Sequence, residues 1–295
     1  MSADGTAYES LAEAHGGEER WAFGTGFDDP LAGLDTAVPT GVDARAVALQ
    51  CLALGDDALV MSQRLAAWCS NAPELEDDVA LANIALDLLG QARLLLTRAA
   101  QADPSLRPAE APAHIPDEDA LAYFREPRAY RNVRLAELDD GADFARCITR
   151  LFLFATWRLA VLVWLVDSPD PVLAATCAKA VTELTYHRDY AAGWVVRLGD
   201  GTDVSHQRMQ DALEWAWPEV AELVGGDLSQ HNRYAESSEF FGILGEVLAP
   251  ATLTEPPWDG AVASSQGRDG QHSDALTELL ADLQSVARAN PAATW

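Results

Sequence analysis

Glu183 and His187 stand four residues apart in TELTYHRDYAAGW, and Thr176, Ala180, Tyr190 and Trp194 extend the same stripe of a helix at steps of three and four. Asn83, Asp87 and Gly90 form a second polar stripe inside an otherwise apolar segment. Carboxylates and imidazoles on facing helices are the ligand types of a carboxylate-bridged di-iron centre. Carboxylates neutralise the two cations, imidazoles complete the coordination, and open positions admit oxygen. In a four-helix bundle that chemistry takes one Glu from each of two helices and a Glu-x-x-His from each of the other two.

The chain falls short of that set. Three residues after Glu183 stands Tyr186, with His187 one position further on, and three residues after Asp87 stands Gly90, which has no ligand atom. Between Asp143 and Asp167 there is no Asp, Glu or His, only Arg146, Thr149, Arg150, Thr156 and Arg158 as polar groups. Asp56 and Asp57 remain in the first helix, but ligands from two helices do not balance the charge of a di-iron centre. Against a metal site stands the plainer reading of Glu183, His187, Asp87 and Asn83 as a hydrogen-bonded polar network or helix–helix contact. No phosphate-binding glycine motif and no nucleophile elbow is present.

The elements that must position these residues are helical. Runs of Ala, Leu, Arg and Asp without β-branched alternation predict long helices over 42–70, 74–102, 143–166 and 171–198. A short helix follows at 117–124, a fifth long one runs to about 224 with Asp203 or Ser205 as cap, and further helices lie at 239–248 and 273–289. In the second helix Leu75, Val79, Ala82, Leu86 and Leu89 recur along one apolar stripe. The connection DSPDP is short enough to force antiparallel neighbours, so the expected fold is an all-α up-down four-helix bundle with additional C-terminal helices.

Residues 1–43 carry nine acids against Arg20 and read as an acidic extension, in which Trp21, Phe23 and Phe27 are candidates for packing. Residues 44–295 form the helical domain, with a flexible stretch near 259–271 (DGAVASSQGRDGQ). Twenty basic residues against 46 acidic ones leave a net charge of −26, which excludes nucleic acid and an anionic membrane surface as the main partner. The most apolar run, 151–166, contains Arg158 and reads as a buried helix rather than a membrane span. Four widely spaced cysteines and the absence of a basic-then-apolar leader fit reduced thiols in a cytoplasmic protein.

The stretches LGDDALVMSQRLAAWCSNAPELEDDVALANIALDLLGQARLLL, FREPRAYRNVRLAEL and TELTYHRDYAAGWVVRLGDGTDVSHQRMQ, with the terminal Trp295, resemble the C subunits of phenylacetyl-CoA epoxidase complexes, the PaaC family. The resemblance runs from about residue 45 to the C-terminus. It implies a ferritin-like fold and a non-catalytic companion to a di-iron A subunit. It also implies a complex that forms the ring 1,2-epoxide of phenylacetyl-CoA from oxygen and NADPH electrons delivered by a reductase subunit.

On this reading the chain holds no cofactor of its own, and Asp87, Glu183, His187 and Asn83 are a vestigial site whose neighbours replace the metal. The partner subunit is expected on the long-helix faces, where the isolated chain exposes an apolar patch. The start of the second helix, Glu76, Asp77, Asp78 and Val79, is the candidate contact with the CoA thioester, set against the ordinary role of acids in a first turn, which is to offset the helix dipole. The alternatives are a metal-dependent oxidase in its own right, using Asp87, Glu183 and His187, and a helical adaptor.

Overall fold

Aspartates start three of the four long helices, each by turning a side-chain oxygen onto backbone N–H groups that have no partner within the helix. Asp43 accepts from the N–H groups of Arg45 and Ala46 at the start of α1 (Ala44–Ala66). Asp143 caps α5 (Phe144–Leu165), and Asp170 caps α6 (Pro171–Gly199), where Pro171 occupies a first-turn position that needs no donor. Helix α2 (Leu75–Ala102) lacks a side-chain cap at Glu74. Its first turn instead carries Glu76, Asp77 and Asp78 against the positive end of the helix dipole.

These elements belong to a computed structural model that describes residues 33–225, 233–257 and 266–293. The acidic extension up to residue 32, with Trp21, Phe23 and Phe27, lies outside the described residues, as do 259–265 and Trp295. Between the two helical hairpins run α3 (Asp117–Tyr123) and the single turn α4 (Arg134–Glu137). After them come α7 (Asp203–Ala216), α8 (Val220–Gly225), α9 (Arg233–Leu248) and α10 (Asp274–Ala289). Among the described residues there is no strand.

Helices α1 and α2 pack as one hairpin, α5 and α6 as a second, and α2 meets α6 between them. This is an all-α bundle in agreement with the ferritin-like expectation, and the residues from Leu34 onward cluster as one unit. Its core runs through Leu54, Met61, Ile84, Leu88, Ile148, Phe152 and Leu184.

Several expectations need correction. The fifth helix breaks at Pro218, and its cap is Thr202, whose hydroxyl accepts from the N–H of Ser205 while Ser205 bonds back to the cap. By length and composition α2 and α5 would each suffice for a membrane span, yet α5 is the buried helix that the sequence predicts over 151–166. The bundle encloses 89% of the apolar stretch of α5 but only 50% of that of α2. The stripe Leu75, Val79, Leu86 and Leu89 faces outward, because Leu81, Ile84, Leu88 and Leu95 on the opposite face of α2 form the core.

The stretch 259–271 is not flexible throughout. Residues 266–271 form a turn seated on the bundle, with the Arg268 guanidinium on the buried carboxylate of Asp57 at 2.7 and 2.9 Å. Gly267 and Gly270 lie so close to the backbone oxygens of Asn132 and Arg128 that any side chain there would collide with them.

Candidate functional site

The stripe predicted on α6 lines its seam with α2. His187 Nε2 lies 3.0 Å from Asp87 Oδ2, Glu183 accepts from the Gln91 amide at 2.9 Å, and Tyr190 and Trp194 both donate to Asp77 Oδ1, at 2.9 and 3.0 Å. Thr176 bonds its own helix at Val172. The expected cluster therefore resolves into separate contacts, because Glu183 pairs with Gln91 and with Lys179 at 3.4 Å rather than with His187. Asn83 is exposed and takes no part. His187 is fully buried and its Nδ1 has no hydrogen-bond partner, whereas the Asp87 side chain is 40% exposed.

Behind the seam the centre of the bundle holds Arg158. Its Nε and Nη2 donate to Gln91 Oε1 at 3.3 and 3.2 Å, its Nη1 donates to the Leu54 carbonyl at 3.1 Å, and Nη1 lies 3.8 Å from Asp57 Oδ2. One polar side chain from each of the four long helices is thus joined in a chain from Asp57 through Arg158 and Gln91 to Glu183. Burial lowers the pKa of Arg158 to about 10, and the Asp57 carboxylate opposes that shift. Sequence patterns for metal ligands pass over Arg158 and Gln91. The available signal was a charged residue inside the most apolar run of the chain, which must find partners or not fold.

Asp56 and Asp57, the leftover acids of the first helix, are engaged in tying loops to the bundle. Asp56 pairs with Arg125 and accepts from the Arg131 N–H at 2.8 Å, and Asp57 accepts from the Val133 N–H at 2.8 Å as well as from Arg268. The donor set does not suit a di-iron centre, because the central position carries a guanidinium and α5 contributes no carboxylate. Among the described residues no group of three or more His, Cys, Asp or Glu side chains is placed to hold a metal ion.

At the start of α2, the Asp77 carboxylate is buried and occupied by Tyr190 and Trp194. Burial followed by the bond to Asp77 raises the pKa of Tyr190, which keeps the phenol a donor. Asp78 accepts from the Ala72 N–H at 3.0 Å and fastens the preceding turn. Glu76 and Val79 are exposed. Cavities of about 310 and 770 Å³ lie where α3 and α10 meet and beside the 105–110 loop, and the seam residues line neither.

Residues 34–295 match the family model described as phenylacetic acid catabolic protein. The chain belongs to that family. It is 41% identical over 257 residues to a protein of Escherichia coli (strain K12) that bears the name of the C subunit of 1,2-phenylacetyl-CoA epoxidase, an alignment that covers 83% of this chain and 97% of the relative. The matched region of the chain takes in both hairpins, the Arg158 network and the C-terminal turn that holds Asp57.

Proposed function

We propose that the chain is the non-catalytic structural subunit of a cytoplasmic phenylacetyl-CoA 1,2-epoxidase, holding a di-iron A subunit in its active shape. The iron belongs to that partner, and NADPH electrons reach it through a reductase subunit. The observation that supports this reading best is the Arg158 network. A guanidinium joined to Asp57 and Gln91, and through Gln91 to Glu183, supplies from within the chain the positive charge that metal ions bring to a bundle of this type. The His187–Asp87 pair then serves as a structural contact between α2 and α6, left from an ancestral ligand set that also included Glu183 and Asn83.

The CoA thioester is proposed to meet the start of α2. With Asp77 and Asp78 engaged in holding their own turn, direct contact falls to Glu76 and Val79. Expression of the chain alone and together with its companion subunits, followed by iron analysis and an epoxidation assay, tests the assignment. The expected result is substoichiometric iron and no epoxide from the chain alone, with both appearing in the complex. Two irons per isolated chain would support the independent oxidase instead, and an active complex lacking this chain would remove the structural role.

A further inference from the structure

Two cavities adjoin where α3, α10 and the 105–110 loop meet, and Phe124 and Pro291 line both. The smaller, about 310 Å³, is walled by Ile115, Tyr123, Phe124, Leu283 and Val286, with Asp119 and Asn290 as polar groups. The larger, about 770 Å³, is lined by Arg107, Arg125, Arg128 and Arg288, with Glu110 and Glu126 as its acids. Four of only 20 basic residues thus gather on one cavity of a chain with 46 acids. An apolar chamber beside a group of guanidiniums has the form of a site for a small molecule with an apolar body and an anionic end.

Three of the arginines are held in place. Asp56 and the carbonyls of Leu121 and Ala129 fix Arg125, and Asp117 with the carbonyls of Pro112 and Ile115 fixes Arg107. Arg288 donates to the carbonyls of Tyr123 and Arg125 at 3.1 and 2.9 Å and to Glu126 at 2.9 Å. The Glu126 side chain is 65% exposed, so this pair is weakly held and a dianion can displace it. Arg128 is exposed, and its guanidinium pairs with no side chain among the described residues. We propose that the adjoining cavities bind a phosphorylated organic anion. The phosphate lies on Arg128 and Arg288, and an aryl or short acyl body lies among Ile115, Tyr123, Phe124 and Val286. Asp119 repels an anion from the apolar end, which sets the direction of entry. A phosphate dianion matches two guanidiniums better than a carboxylate monoanion does. The net charge of −26 repels a polyanion, so the ligand is a small molecule and not a nucleic acid. No residue from the start of α2 lines either cavity, so this site is separate from the proposed contact with the CoA thioester and does not rest on the proposed function.

The probe is 2-naphthyl phosphate, titrated into the full chain by calorimetry at low salt, with inorganic phosphate, neutral 2-naphthol and 2-naphthoate in parallel. The expected result is one site per chain that holds 2-naphthyl phosphate about tenfold or more tighter than the other three. Arg128→Gln is expected to weaken both phosphates about tenfold through the loss of a charge-assisted hydrogen bond. Val286→Asp, at a residue 56% exposed, is expected to weaken 2-naphthyl phosphate alone. Glu126→Gln should tighten phosphate binding about threefold by freeing Arg288, a gain that a folding defect does not imitate. Arg188→Gln, on α6 and paired with Asp189, should bind like the unaltered chain. No binding at millimolar probe, or Arg128→Gln and Glu126→Gln both indistinguishable from the unaltered chain, would overturn the site. Equal affinity for inorganic and 2-naphthyl phosphate would overturn its apolar half, and tighter binding of 2-naphthoate would overturn the phosphate assignment.

Discussion

Arg158 shows how one side chain decides what a bundle can do. A fully buried cation has to be hydrogen-bonded, and Gln91 and the Leu54 carbonyl supply acceptors beside the Asp57 carboxylate. Arg158→Met should lower stability by roughly 3 kcal/mol, since breaking a buried polar network from one side leaves the other groups unsatisfied. Urea denaturation of the variant measures the loss, and an unchanged midpoint would show the network to be dispensable.

The thiols make a second test at the residue scale. Cys69 is exposed, whereas Cys51, Cys147 and Cys177 are buried, and burial pushes the pKa of Cys147 and of Cys177 up to about 12. A thiol reagent at pH 8 should therefore titrate one group rapidly in the native chain and all four after denaturation, because only the thiolate reacts. Rapid native reaction of more than one thiol would contradict the packing around the buried three.

At the scale of elements, the bundle depends on contacts that tie distant segments to its helices. Arg98 of α2 pairs with Asp170, the cap of α6, with both side chains buried, which fixes one hairpin to the other. The turn 266–271 and α10 are held in the same manner: Arg268 sits on Asp57, the Gly267 N–H donates to Glu222 at 2.6 Å, and the Ser273 N–H donates to Glu137 at 2.9 Å. Arg268→Ala should cost roughly 3–5 kcal/mol by leaving Asp57 short of its close partner. It should also open 266–273 to protease. Equal proteolysis rates for the variant and the unaltered chain would mean that the turn is held by something other than this pair.

For the whole molecule, the charge of −26 sets how it meets other chains. Like charge keeps copies apart and speeds encounter with a basic surface, an effect screened over about 8–10 Å at physiological salt. The rate of association with the proposed companion subunit should therefore fall as sodium chloride rises, while dissociation changes less. Stopped-flow association at several salt concentrations checks this, and a salt-independent rate would remove charge complementarity from the account of docking.

The all-α class, the long-helix order and the shortage of metal ligands were legible without coordinates. Helical periodicity is a local property, and no packing can create a carboxylate in a segment that has none. Boundaries agreed closely where Asp or Pro marks a helix start, as at Asp143 and Asp170. Tertiary structure alone decided which apolar side of α2 faces water, because both sides carry leucines at helical spacing and only contact with α1 and α6 distinguishes them. It also decided that Arg158 takes the centre, that Asp77 belongs to Tyr190 and Trp194, and that residues 266–271, the end of a glycine-rich run read as a linker, form a packed turn. These outcomes depend on partners far away in sequence, such as Arg268 and Asp57, 211 residues apart, and local composition carries no record of such a pairing.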